Sequence, residues 1–183
     1  MSPTDRAVWL VNRERADRSV PLLNGSENNV TMVAGLYAEY LLSHNTFSHD
    51  ADGRDPWQRL NDNRAIGACH DFLGVAENLV VMAGPGPSYQ PFPLERAIYS
   101  WMYEGQSSSW GHRHMLLWRS YTDNGGWRGV EGFLGIGIAG GGPYQGPFDR
   151  AYPYADIVVL NVFDPCAAWA YPAPRSYLPA VGR

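Results

Sequence analysis

The last third of the chain limits the fold most. Trp127–Ala139 and Ala155–Phe163 are two strand-like runs, the first built on Val130, Ile136 and Ile138, the second on Ile157, Val158, Val159 and Leu160. Gly140, Gly141, Gly142, Pro143 and a Tyr/Pro-rich stretch lie between them, so a long hairpin is the simplest pairing. Upstream of Gly125 the hydrophobic period is mostly that of helices. Helices first and paired strands later, with no strand–helix–strand alternation, predict an α+β fold.

Four helices and one short helical turn precede the hairpin. Thr4 or Asp5 can cap the first, which sets Ala7, Val8, Leu10, Val11 and Ala16 against a polar side and stops before Pro21. The second, which Ser26 can cap, runs to about His44. Its Val30, Val33, Ala34, Tyr37 and Leu41 follow the i, i+3, i+4, i+7 rule closely. Asp55-Pro56 opens a short helical turn with Trp57 and Leu60. The third helix starts at Leu94, after a stretch with four prolines that excludes regular structure. The fourth, at Trp110–Trp118, is short. Gly74–Met82 is apolar and β-branched apart from Glu77-Asn78 in its middle. A charge there marks either a sheet edge or a side chain deliberately placed inward.

With 183 residues, 45% of them hydrophobic, one domain can bury a core without a metal or a disulfide. Residues 5–165 are assigned to that domain and 166–183 to a Pro-rich tail. The net charge of −4 leaves no basic footprint for nucleic acid. No apolar run reaches the ~18 residues of a membrane helix. Cys69 and Cys166 are either two thiols or one disulfide. The disulfide would close a loop of about 100 residues and contribute about 4–5 kcal/mol. Their turn-rich surroundings favour the disulfide, and with it an oxidising compartment. Met1–Asp5 is polar and carries no visible leader, so the protein is either cytosolic or begins after a removed leader.

The polar residues that stand out are His49, Glu77, Glu104 and His112. Two imidazoles and two carboxylates can bind a divalent transition metal, zinc favouring the histidines. The same four can equally form a metal-free network in which carboxylates orient imidazoles. His114 lies two positions from His112 and faces another way on a helix. The chain has no HExxH, CxxC or GxSxG motif and no phosphate loop, and Ser107-Ser108-Ser109 reads as a connector. Gly135 and Gly137 suit close packing or a bulge.

Taken in order, these segments resemble the CAP superfamily (the SCP/TAPS domain of cysteine-rich secretory, antigen 5 and pathogenesis-related 1 proteins), in its bacterial form. VWLVNRERADRSVPLL is similar to the family's opening helix, and AEYLLSHNTFSHDADGRDPWQRL to its f.H....G....R pattern. AENL is similar to GEN(I/L), with Ala76 in place of glycine. WMYE is similar to W..E, GHRHMLLW to GH(Y/R)...(L/V)W, and LGIGIA with VVLNVF to the closing hairpin. The resemblance implies a three-layer α-β-α sandwich with a mostly antiparallel central sheet. It places the family's cavity tetrad on His49, Glu77, Glu104 and His112. The two histidines would bind zinc or another divalent cation, with the glutamates beside them. It also implies a secreted or extracellular protein that has lost its leader.

Three functions follow as expectations. The first is an extracellular binding module whose His/Glu cleft takes a metal and a small-molecule, lipid-like or protein ligand. The second is a zinc hydrolase in which Glu77 or Glu104 acts as base on a metal-bound water. The third is a structural or interaction domain with a residual tetrad. The Gly140–Tyr154 insert and the tail have no counterpart in the family pattern.

Overall fold

Val158, Leu160 and Val162 point to one face of a strand, and Ala155, Ile157 and Val159 to the other, as the period of two requires. Both sets are buried, in two separate clusters. A strand covered on both faces is the middle layer of a sandwich, and the rest of the chain supplies the two covers. The computed structural model describes residues 1–68, 76–89, 91–118 and 132–164. In chain order its elements are α1 (Pro3–Asp17), β1 (Gly25–Ser26), α2 (Asn28–Ser43), α3 (Pro56–Asp62), α4 (Arg64–Gly67), β2 (Ala76–Gly84), α5 (Pro93–Tyr103), a 3-10 turn (Gly105–Ser108), α6 (Gly111–Leu116), β3 (Phe133–Gly141) and β4 (Tyr154–Phe163).

The sheet order is β1-β3-β4-β2. β3 and β4 form the expected antiparallel hairpin, with Ile136 opposite Leu160. β2 joins β4 antiparallel, and β1 joins β3 parallel. One side is covered by α1, α5 and α6 through Ala7, Val11, Leu94, Trp101 and Leu116. The other is covered by α2 through Ala34, Tyr37, Ala38 and Leu41. This is the α+β, three-layer arrangement. Of the first strand-like run, Trp127–Glu131 lies outside the described residues. So do Cys69 and Cys166, and with them the disulfide, and all of the tail from 166 to 183. No helix among the described residues is long and apolar enough to cross a membrane.

Two helix starts differ from expectation. Ser2, not Thr4 or Asp5, caps α1: its Oγ accepts from the Asp5 N–H at 3.1 Å. Glu27, not Ser26, caps α2, accepting from the Val30 N–H at 2.7 Å. The parallel pairing of Ser26 with Leu134 keeps Ser26 extended, so the cap falls one residue later. Close packing explains Gly135 and Gly137. A Cβ on Gly135 would collide with the backbone of Val30 and Thr31, and one on Gly137 with that of Ala34. α2 therefore lies directly on β3 with no side chain between, and this fixes where the loop after α2 emerges.

The insert between β3 and β4 packs against that loop. The buried Tyr144 pairs with Tyr152 in an isolated bridge, and its hydroxyl donates to the Thr46 carbonyl at 2.7 Å. The Asn45 side chain accepts from the N–H groups of Gln145 and Gly146 at 2.6 and 3.0 Å.

Candidate functional site

β2 is an edge strand, and Glu77 and Asn78 sit near its start. Both readings of a charge in an apolar run hold here: the position is at the edge, and the side chain points inward. Glu77 faces the α2 side with Leu79 and Val81; Asn78 faces the α5/α6 side with Val80 and Met82. Each holds one histidine. The Glu77 Oε1 lies 2.9 Å from His49 Nδ1. The Asn78 side chain donates to the His112 carbonyl at 3.0 Å.

His49 sits in the loop between α2 and α3. α3 starts with a capping box, in which the Asp55 side chain accepts from the Gln58 N–H and the Gln58 side chain accepts from the Asp55 N–H. The next turn of that helix sends Arg59 inward, where its side chain is only 4% exposed. One guanidinium nitrogen donates to Asp52 at 2.8 Å and to the Arg54 carbonyl at 2.6 Å. The other donates to the His49 carbonyl at 2.7 Å and to both oxygens of Glu77 at 3.0 and 3.1 Å. The guanidinium carbon stacks 3.4 Å above the centre of the Tyr37 ring. The Tyr37 hydroxyl donates to the Ser48 carbonyl at 2.5 Å and accepts from the Ala51 N–H at 3.1 Å. Burial, only partly offset by the Arg59 charge, pushes that phenol up to about 12. Asn161, opposite Glu77 on β4, donates to its Oε2 at 3.1 Å.

Glu77 is thus fully engaged. As a carboxylate it accepts from the His49 Nδ1–H, which leaves the Nε2 lone pair of a half-exposed imidazole free. His112 comes from the other cover. Ser109 and Trp110 both adopt the left-handed conformation, with φ of 53° and 64°, before α6 begins. Each costs about 1–2 kcal/mol for a residue with a side chain. Arg113 holds the turn: its guanidinium lies 4.0 Å over the Trp110 ring, and its Nε donates to the Met102 carbonyl at 2.5 Å. Burial first, and the nearby His49 second, hold the His112 imidazole below its ordinary value. A neutral ring is the form that ligates metals.

His49 and His112 line one cleft of about 500 Å³, with Phe47, Pro56 and Leu79 as its apolar wall and Asp50 and Asp55 at its rim. Glu104 is placed elsewhere. It is exposed, caps the end of α5, and lines a neighbouring groove with Val80, Tyr99 and Ser100. Of the four residues named from the sequence, His49 and Glu77 bond directly, His112 lines the same cleft as His49, and Glu104 lines the neighbouring groove. His114 is exposed and does not line the cleft, as its offset from His112 predicts. Sequence reasoning passed over Arg59, although it is the final arginine of the quoted f.H....G....R pattern. It also passed over Asn78, the neighbour of Glu77 in the same apolar run.

Among the described residues, no three His, Cys, Asp or Glu side chains form a metal-holding group. The two imidazoles are the nitrogen donors that line the cleft. Residues 8–126 match the family model described as CAP, the cysteine-rich secretory protein family. That span runs from α1 past α6 and contains His49, Glu77, Glu104 and His112. No curated protein matches the chain.

Proposed function

The chain belongs to the CAP, or cysteine-rich secretory protein, family, and on that premise we propose that it is an extracellular binding module. Its cleft holds a divalent cation, zinc by preference, between His49 and His112. A small or lipid-like ligand, or a segment of a protein partner, enters the same cleft. The observation that carries this reading is the pairing of a Glu77-oriented His49 with a half-buried His112 on the wall of one cleft. When bound, the cation supplies a Lewis-acidic centre with open positions for a ligand carboxylate, phosphate or carbonyl oxygen. Phe47, Pro56 and Leu79 supply the apolar contact that a lipid-like or aromatic portion of the ligand would use.

Binding is favoured over hydrolysis by the state of the carboxylates. A general base must reach the water it activates. The Glu77 side chain is 1% exposed, and both its oxygens already accept from Arg59, with His49 and Asn161 on either side. Glu104 lines a different groove. Calorimetric titration of the chelator-treated protein with zinc tests the reading. The wild type binds, and the double variant His49→Ala, His112→Ala does not. A wild type that takes up no zinc, nickel or cobalt ends the metal reading. Turnover in a broad ester and peptide screen that is lost in Glu77→Gln would return the hydrolase.

A further inference from the structure

His49 and His112 differ in what their Nδ1 atoms face. For His49 it is the Glu77 carboxylate. We propose that Ser108 is the positioning residue for His112. Its hydroxyl fixes the imidazole as the Nδ1–H tautomer and leaves the Nε2 lone pair for a ligand.

A serine hydroxyl has a single proton to give. In the 3-10 turn, Ser108 Oγ donates that proton to the Gly105 carbonyl at 2.9 Å. The oxygen then has only lone pairs left to offer, and His112 Nδ1 faces it at 3.4 Å. A hydrogen bond between them needs the proton on Nδ1. A neutral imidazole carries one N–H, so Nε2 is the free acceptor. The two residues meet because the left-handed Ser109 and Trp110 fold the chain back between the 3-10 turn and α6. The carboxylate that family resemblance would assign to this task does not perform it. Glu104 makes no side-chain hydrogen bond or ion pair among the described residues and lines the adjoining groove.

The assignment deepens the reading of His49 and His112 as a metal pair and rests on that reading for one of its two readouts. The first needs no metal. Long-range ¹H–¹⁵N correlation spectra of the labelled, chelator-treated chain, at about pH 8 where histidine is neutral, report the tautomer of each ring. Wild-type His112 is expected as Nδ1–H. Ser108→Ala moves it towards Nε2–H; Ser108→Thr, which keeps the hydroxyl, and Ser107→Ala, the neighbouring control, do not. The second readout is zinc affinity, which falls about 10-fold in Ser108→Ala and is restored in Ser108→Thr, as loss of a ligand's orienting partner predicts. Wild-type His112 found as Nε2–H overturns the proposal. So does a tautomer that stays put in Ser108→Ala, or one that responds to Glu104→Gln instead. If the tautomer behaves as stated and no metal binds, the metal reading fails and the role of Ser108 stands. If metal binds and the tautomer ignores Ser108, the reverse holds.

Discussion

The loop carrying His49 is held by charge, and the turn carrying His112 by packing and strain. In the first, one buried guanidinium ties two carboxylates and two backbone carbonyls, with an aromatic ring beneath it. In the second, two left-handed residues are kept in place by an arginine stacked on tryptophan, and the imidazole leans on a neutral hydroxyl. The two supports fail differently. Removing one member of a buried ionic cluster leaves its partners charged and dry, so the loss reaches the whole fold. Removing a stacked cation from a partly exposed turn frees local strain and leaves the core intact. The chain therefore carries one histidine it can scarcely afford to disturb and one it can adjust.

The largest effect expected from this contrast is that of Arg59→Ala. It removes the guanidinium that pairs with the buried Glu77 and takes from Asp52 one of its two arginine partners, and should cost about 3–5 kcal/mol in denaturant unfolding, with zinc binding lost alongside. Arg59→Lys should recover little, because a single ammonium cannot serve both Asp52 and Glu77 in the geometry of the guanidinium fork. A loss under 1 kcal/mol for Arg59→Ala would mean that the cluster is not what holds this half. Next is Arg113→Ala, expected to cost about 1–2 kcal/mol, from a cation–π contact and one hydrogen bond. Its mark should fall on the site: a changed near-ultraviolet tryptophan signal and weaker zinc binding at full cooperativity of unfolding. A loss as large as that of Arg59→Ala would erase the distinction drawn between the halves.

The smallest effect is in the acid titration. Burial by itself would raise the Asp52 carboxyl, but hydrogen bonds from Arg54 and the charges of Arg59 and Arg54 outweigh it and hold it below its ordinary value. Between its folded value and the ordinary one, near ~3.9, the unfolded chain binds more protons. Stability is then complete above that window and falls as the pH drops through it. Arg59→Ala should make this acid slope shallower, with the Arg54 hydrogen bonds holding the remainder, and Arg113→Ala should leave it as in the wild type. Urea midpoints measured from about pH 2 to 6 separate the two outcomes.

The layers of the fold were legible because burial imposes a period. The apolar run at Ile157–Leu160 reads as a strand, the spacing of Val30 to Leu41 as a helix covered on one face, and the structure adds that the strand is buried on both of its faces. The cap of α2 was missed by a residue, because a two-residue strand of Gly25 and Ser26 has no pattern to read. His49, Glu77 and His112 were reached through the order of short motifs. Composition alone left them as one polar cluster among others. The separate placement of Glu104 was not legible. The W..E spacing puts it at the end of α5, but which groove that end faces depends on how α5 crosses the sheet edge. Ser109 and Trp110 gave no signal either. A left-handed turn usually shows itself by glycine or asparagine, and here Arg113, three residues further on, supplies what glycine would have.

The loop from Asn45 to Asp55 is fastened along its length. The hairpin insert holds Asn45 and Thr46, the Tyr37 hydroxyl holds Ser48 and Ala51, and Arg59 holds His49 and Arg54. This has a kinetic consequence. A wall already set in its bound shape asks no ordering entropy of an arriving ligand, and entry waits on no opening step. Capture should then run at one common rate for ligands of similar size and charge, and preference among them should be written in how long each one stays.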